Sequence, residues 1–365
     1  MGTSWLMRVL NVLALPFFGA VSIGLLLSCL APYVDPRTTT LFAFAGLAYP
    51  FLLLINLFFL IYWTLQLRKR ALITLLVMLP ALNFAGAYLQ FSAKALPADK
   101  DGIRIASLNA QLFGHHQGKN TAEEVADAMA KEQPALVCMQ EFLNKGRDDS
   151  STVKFFQKRL HLPYGYFERL NDGRKYGQYG MLILSRYKQI RRGVINFAYN
   201  TGNMCIWADM LLGKDTVRVY NIHLQSIRFG RSDYRFIKQG AEDNEKRLEG
   251  SRNILRRMHR AWKMRAEQVD SVRAHIDACP YPLILTGDFN DVPMSHAYHR
   301  LSQGLKDAFR ESGSGLNRTY QGPFPSFRID YLLHSPYFQA YDYQTDAQVP
   351  SDHKMILGTL VSGKI

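Results

Sequence analysis

Apolar positions are spread very unevenly along this chain. Residues 1–96 are almost uncharged and hold three long apolar stretches, Val9–Ala31, Leu41–Leu67 and Ala71–Phe91. Each stretch is near the ~20 residues that a membrane-crossing helix needs. Leu96–Asp101 is a short polar linker, and beyond it the pattern changes to short apolar runs alternating with amphipathic segments. Ile103–Ala106 opens a strand that ends in Ser107-Leu108-Asn109. Thr121-Ala122-Glu123-Glu124 has the composition of a helix start, followed at helical spacing by Val125, Ala128 and Met129. Ala135–Met139, Gly180–Arg186, Met204–Leu212, Val217–Ile222, Ile329–Leu333 and Met355–Leu360 read as strands. Val153–Leu160, Asn244–Ala278 and Ser295–Leu301 read as helices. Leu283-Ile284-Leu285 has no polar alternation, which is the pattern of a strand buried on both faces.

This pattern predicts two parts: a membrane anchor of three transmembrane helices over 1–96, and a catalytic α/β domain over 97–365. The mixture of strands and helices in the second part suggests two packed mixed β-sheets flanked by helices, a four-layer α/β sandwich. A cleaved signal peptide would explain the first apolar stretch alone, but it lacks a strongly basic start and two more stretches follow. Arg68-Lys69-Arg70 joins the second and third stretches and marks a cytoplasmic loop. Three crossings from an inside N-terminus then carry everything after Phe91 to the outer face. Trp63, Tyr62, Tyr49 and Tyr88 fall where interfacial aromatics sit.

Charge narrows the partners without choosing one. The formal net charge is +14; seven Lys/Arg and two Asp/Glu lie in residues 1–100, so +9 belongs to residues 101–365. That excess favours anionic partners: nucleic acid, phospholipid headgroups or phosphate esters. The cysteines, Cys29, Cys138, Cys205 and Cys279, show no zinc-like spacing and no evident disulfide framework.

Candidate chemistry lies at the ends of strands. Asn109, Glu141, His223, Asp288 with Asn290, and Asp330 each follow or end an apolar run, and Asp352-His353 precedes the last strand. One such residue is an ordinary turn former, and Gly-Asp or Asn-Asp alone reads equally well as a turn. Several together imply one shared cleft. Hard carboxylates, amides and imidazoles without thiolates suit Mg²⁺ or Mn²⁺ rather than structural zinc, and phosphoryl transfer is the chemistry such a set serves.

These residues lie in segments that resemble a known family. LNAQLF (108–113), MQEF (139–142), YNIHL (220–224), GDFND (287–291), RIDYLL (328–333) and SDH (351–353) are similar, in order, to the motifs of the endonuclease/exonuclease/phosphatase superfamily, across residues 102–361. The preceding spans are similar to its membrane-anchored bacterial branch. The resemblance implies that Glu141 binds the metal, with Asn109 touching metal or phosphate and Asp352 adding a metal contact or supporting one. It implies that Asp288 deprotonates the attacking water and that Asn290 and His223 contact the phosphate. His353 would donate to a phosphate oxygen and be held by Asp330.

Gln225–Arg265 is rich in Arg and Lys and interleaved with aromatics. Its Arg228 and Arg231, with Arg174 from a second basic stretch, are the candidate substrate-binding residues; a solvated helix face explains the segment equally well. The expectation is a Mg²⁺-dependent (or Mn²⁺-dependent) phosphodiesterase of the bacterial inner membrane, facing outward. Its partners would be the lipid bilayer and a phosphate-ester substrate, nucleic acid or phospholipid, and no protein partner is implied. The alternatives are a phosphomonoesterase on a sugar or inositol phosphate, and a catalytically idle receptor for an anionic ligand.

Overall fold

In a computed structural model, the protein is described over residues 5–91, 93–146, 151–170, 177–198, 201–230, 233, 236, 244–322 and 326–363. The apolar N-terminal part forms helices α1 (Trp5–Leu30), α2 (Leu41–Leu65) and α3 (Arg70–Ala85). α1 and α2 are long and apolar enough to cross a membrane, but α3 is not: it has 16 residues, about 24 Å at 1.5 Å per residue. The expected third transmembrane helix is thus corrected to a short apolar helix. The end of its apolar stretch is used for docking instead. The Arg328 guanidinium donates to the Ala87 carbonyl at 3.0 Å, and Asn317 N–H donates to Tyr88 O at 3.1 Å. Leu89–Gln90 (β1) then pairs with Gly315–Leu316 (β11).

The three helices run antiparallel side by side. Arg70 stacks over Trp63 at the turn between α2 and α3, while Tyr49 OH donates to Ala81 O near the other end. The end formed by the C-terminus of α1, the start of α2 and the C-terminus of α3 is the one that touches the rest of the molecule, so α3 returns the chain to it.

That remainder is a sandwich of two mixed sheets with helices outside each. One sheet has the order β13-β14-β2-β3-β5-β4: Phe338–Asp346, Met355–Ser362, Ile103–Asn109, Leu136–Asn144, Gln178–Ser185 and Tyr164–Arg169. The other has the order β10-β12-β9-β8-β7-β6: Lys306–Asp307, Asp330–His334, Leu283–Asp288, Asp215–His223, Met204–Leu212 and Gln189–Ile195. The alternate side chains of each strand serve two cores. Ile105, Cys138 and Ile183 face Ile206, Val219 and Ile284 between the sheets. Outside the first sheet, Leu108, Val137 and Leu182 pack under α4 (Ala122–Lys131) and α5 (Thr152–Leu160). Outside the second, Tyr220, Ile222 and Leu285 pack under the long helix α6 (Asn244–Asp277). Strands β4, β6 and β13 carry exposed polar positions and were not evident from apolar runs. The four cysteines are free, as their spacing implied.

Among the described residues two strand pairs are parallel, β2 with β3 and β8 with β9. Each is central in its sheet, and in each both strands end at the same side of the sandwich, where ligand sites of such sheets lie.

Candidate active site

Register brings the strand-end residues together. His223 at the end of β8 stands opposite Asp288 at the end of β9, and Asp330, which begins antiparallel β12, stands opposite Asp288 on its other side. Three side chains thus occupy one level on adjacent strands, about 4.8 Å apart by sheet geometry. From the facing sheet come Asn109, which ends β2, and Glu141 on β3. Glu141 does not end its strand. It sits in a β-bulge between Met139 and Phe142 with φ of 47°, and the bulge turns its side chain out of the pleat. Asn290 and Arg228 also take left-handed backbone, φ 52° and 55°, which costs a non-glycine residue on the order of 1–3 kcal/mol. Gly287 has φ of 133°, and a Cβ there would run into the Ile222 carbonyl of β8, so only glycine lets the two strands end this close.

Asp288 is the hub. Its Oδ2 accepts from Asn109 Nδ2 at 3.0 Å and Asn290 Nδ2 at 3.1 Å, and its Oδ1 accepts the Asn290 N–H at 2.8 Å. His223 Nε2 lies 3.7 Å from both the Glu141 and the Asp288 carboxylates. His353 Nε2 lies 3.8 Å from Asp288, while its Nδ1 donates to both oxygens of Asp330 at 3.0 and 3.1 Å. Burial, with the Asp330 charge beside it, pushes the Asp288 carboxyl up to about 6. Burial alone would lower the His353 imidazole, but Asp330 and Asp288 outweigh it and hold it up at about 10. Burial likewise raises the Asp352 carboxyl.

Asp288, Asp330 and His353 present ligand atoms within 4.8 Å of one another. Within this group His353 is already engaged with both oxygens of Asp330 through Nδ1. The better seat for a cation is beside Glu141, whose carboxylate is open to the cleft. There His223 is buried with neither ring nitrogen hydrogen-bonded, an expensive arrangement unless a polar or charged group joins it. The described donors are carboxylates, amides and imidazoles with the cysteines elsewhere, so the site fits a hard divalent cation.

All the residues expected at the site that the structure describes line or border one cleft: Asn109, Glu141, Arg228, Asp288, Asn290, Asp352 and His353 in its wall, His223 and Asp330 directly behind them. Arg231 and Arg174 lie outside the described residues. Within the basic segment, Arg265 is not on a solvated face. It is buried, paired with Asp291 at 3.0 Å, and donates to the carbonyls of Asn290 and Gln225, so it props the loop that carries Asn290. Two supporting residues escaped the sequence reading, although both lie in the quoted motifs. Gln140 donates to Asn221 Oδ1 at 2.7 Å, and Asn221 donates back to the Met139 carbonyl. Two amides inside otherwise apolar strands were the signal, since buried polar side chains need partners; here they tie one sheet to the other beneath the site.

Comparison with known proteins agrees with this geometry. The Endonuclease/Exonuclease/phosphatase family model matches residues 106–353, and a domain of unknown function matches residues 6–88. Among solved structures, an endonuclease/exonuclease/phosphatase from Beutenbergia cavernae is 17% identical with a TM-score of 0.52, each chain covered to 72%. A humanized D. rerio TDP2 is also 17% identical, with a TM-score of 0.51 over 72% of this chain and 99% of that one. At that identity the likeness is one of fold. No curated protein matches the sequence. Matched motifs and the cleft's donor set together define a metal-dependent phosphoric ester hydrolase. The chain belongs to the endonuclease/exonuclease/phosphatase family.

Proposed function

We propose that the protein is a membrane-anchored, Mg²⁺-dependent phosphodiesterase. The observation that carries this is the three-strand register of His223, Asp288 and Asp330, with His353 held by Asp330 at 3.0 Å and Asn109 on Asp288 at 3.0 Å. In this reading a water beside Asp288 attacks phosphorus in line with the leaving oxygen. Asp288, a base with its carboxyl near 6, takes the water's proton. Protonated His353 donates from Nε2 to a phosphate oxygen, Asn290 and His223 contact the phosphate, and Asp330 fixes the His353 tautomer. Glu141 would hold the cation, with Asn109 and Asp352 adjacent. When bound, the cation neutralises phosphate charge that would otherwise repel the water. Arg228 at the cleft wall, and Arg231 and Arg174, would meet the substrate's negative charge.

The anchor is α1 with α2, packed beside α3, in the bacterial inner membrane. The hydrolytic part lies on the outer face, at the end of the bundle where α1 ends, α2 begins and α3 brings the chain back. Support for that orientation comes from Arg68-Lys69-Arg70, which turn the chain at the end of the bundle away from the cleft. The test is hydrolysis of bis(4-nitrophenyl) phosphate by the full-length protein in Mg²⁺. EDTA is expected to abolish it, and readdition of Mg²⁺ to restore it. Asp288→Asn should lower kcat by about 10²–10⁴-fold, the range of a lost acid–base group. Turnover indifferent to EDTA and to Asp288→Asn would overturn the proposal.

A further inference from the structure

The cleft has a second wall that the hydrolytic chemistry leaves unused. Facing Glu141, Asp288 and His353 are Leu47, Met258, Trp262, Val292, Phe327 and Ile329. The space between the two walls is about 310 Å³, in the range of sites for small organic ligands and larger than a phosphate alone requires. Met258, Trp262 and Val292 are buried and held by the core. Leu47 comes from elsewhere: it lies on α2, whose 25 residues include no charged side chain.

Leu47 also begins a stripe. Phe51, Leu54, Phe58, Ile61 and Leu65 follow it at spacings of three and four, which keeps all six within about 40° of the Leu47 direction around the helix. Those five are 52, 63, 62, 54 and 81% exposed. In a bilayer such a stripe faces acyl chains. One apolar surface therefore runs from the hydrolytic cleft down the outside of a helix long enough to cross a membrane.

We propose that the cleft takes a lipid phosphodiester, with its phosphate among Asn109, Asp288, Asn290 and His353 and its hydrocarbon chain along Leu47, Val292 and Phe327 toward the α2 stripe. This rests on the phosphodiesterase reading and names its substrate class. In the reaction, the water oxygen bonds to phosphorus as one P–O ester bond breaks. Asp288 accepts the water's proton, and the departing alkoxide is protonated by solvent. The products are an alcohol and a phosphomonoester, one of them still lipid. A nucleic-acid strand is the less favoured occupant. It needs cations that follow its backbone, and the basic residues among the described lining are Arg228 and Arg265, the latter already paired with Asp291.

The experiment uses full-length protein in nanodiscs with Mg²⁺ and a series of 4-nitrophenyl alkyl phosphates bearing methyl, butyl or octyl chains. A thymidine 4-nitrophenyl phosphate diester serves as the nucleotide arm. The expected result is a kcat/KM that rises with chain length, by up to about fourfold per buried methylene, and a flatter rise in Leu47→Asp. The wild-type series stands even if that variant misfolds. Equal cleavage of every alkyl ester, or preference for the thymidine ester, would overturn the lipid proposal while leaving a phosphodiesterase. Cleavage of no ester would instead defeat the hydrolytic reading. The chain site is then judged by photo-crosslinking with an octyl phosphodiester carrying a terminal diazirine. Label on the peptide containing Leu47 and Phe51 supports it, and label only elsewhere overturns it.

Discussion

The Asp288 carboxylate is buried between a second carboxylate, Asp330, and two imidazoles, His223 and His353. Such crowding separates the proton affinities of neighbours. Asp288 is pushed up to about 6 and His353 to about 10, so between those limits the first is a base and the second an acid. The pH profile of kcat/KM should accordingly be a bell, rising near or below 6 and falling near 10. Asp330→Asn removes the charge that holds His353 protonated. Its falling limb should move toward neutral pH, with kcat/KM at pH 8 down about tenfold for a limb that reaches about 7. An unmoved limb would mean that His353 is not the acid. These side chains were readable as chemistry because carboxylate, amide and imidazole types recur at strand ends. Their pairing was not, since Asp330 and His353 are separated by 22 intervening residues and meet only through β12.

At the scale of elements, the site depends on how α2 meets the loop after β9. Gly46 lies against this loop: a Cβ there would run into the Met294 carbonyl and stand 2.8 Å from Ala31 Cβ. Around it, Phe44 packs edge-on against Trp262 with centroids 4.6 Å apart, and Arg37 reaches Asp270 at 2.7 Å. Gly46→Val should push α2 from residues 291–295, destabilise the protein by about 1–3 kcal/mol as overpacking does, and reduce turnover. Gly19→Val, with nothing within 4 Å of the added Cβ, is the control. Equal Tm for the two variants would contradict the docking. Hydropathy alone placed helices α1 and α2 but overextended α3, because after Ala85 the chain leaves the helix and docks on the sandwich through the carbonyls of Ala87 and Tyr88. Apolar runs do not distinguish a helix in lipid from a segment docked on protein.

For the whole molecule, helices and sandwich share one core: Leu25, Tyr49 and Ala81 pack with Val292 and Met294. The bundle is thus part of the wall of the hydrolytic cleft and not only a tether. A phosphatase reporter fused after Ile365 should be active outside the inner membrane, and a fluorescent reporter fused after Arg70 should shine inside. A dark reporter after Arg70 together with an inactive phosphatase after Ile365 would reverse the orientation.

By itself, the sequence determined the alternation of strands and helices and the residue types for hydrolysing a phosphate ester. Each of these follows from local pattern and side-chain chemistry, which survive in a linear reading. Tertiary structure alone decided that His223, Asp288 and Asp330 share one level, that Glu141 sits in a bulge, that Arg265 is a buried prop, and that Leu47 faces the cleft. Those facts depend on strand register and on contacts between distant segments, and both are settled by how whole elements pack.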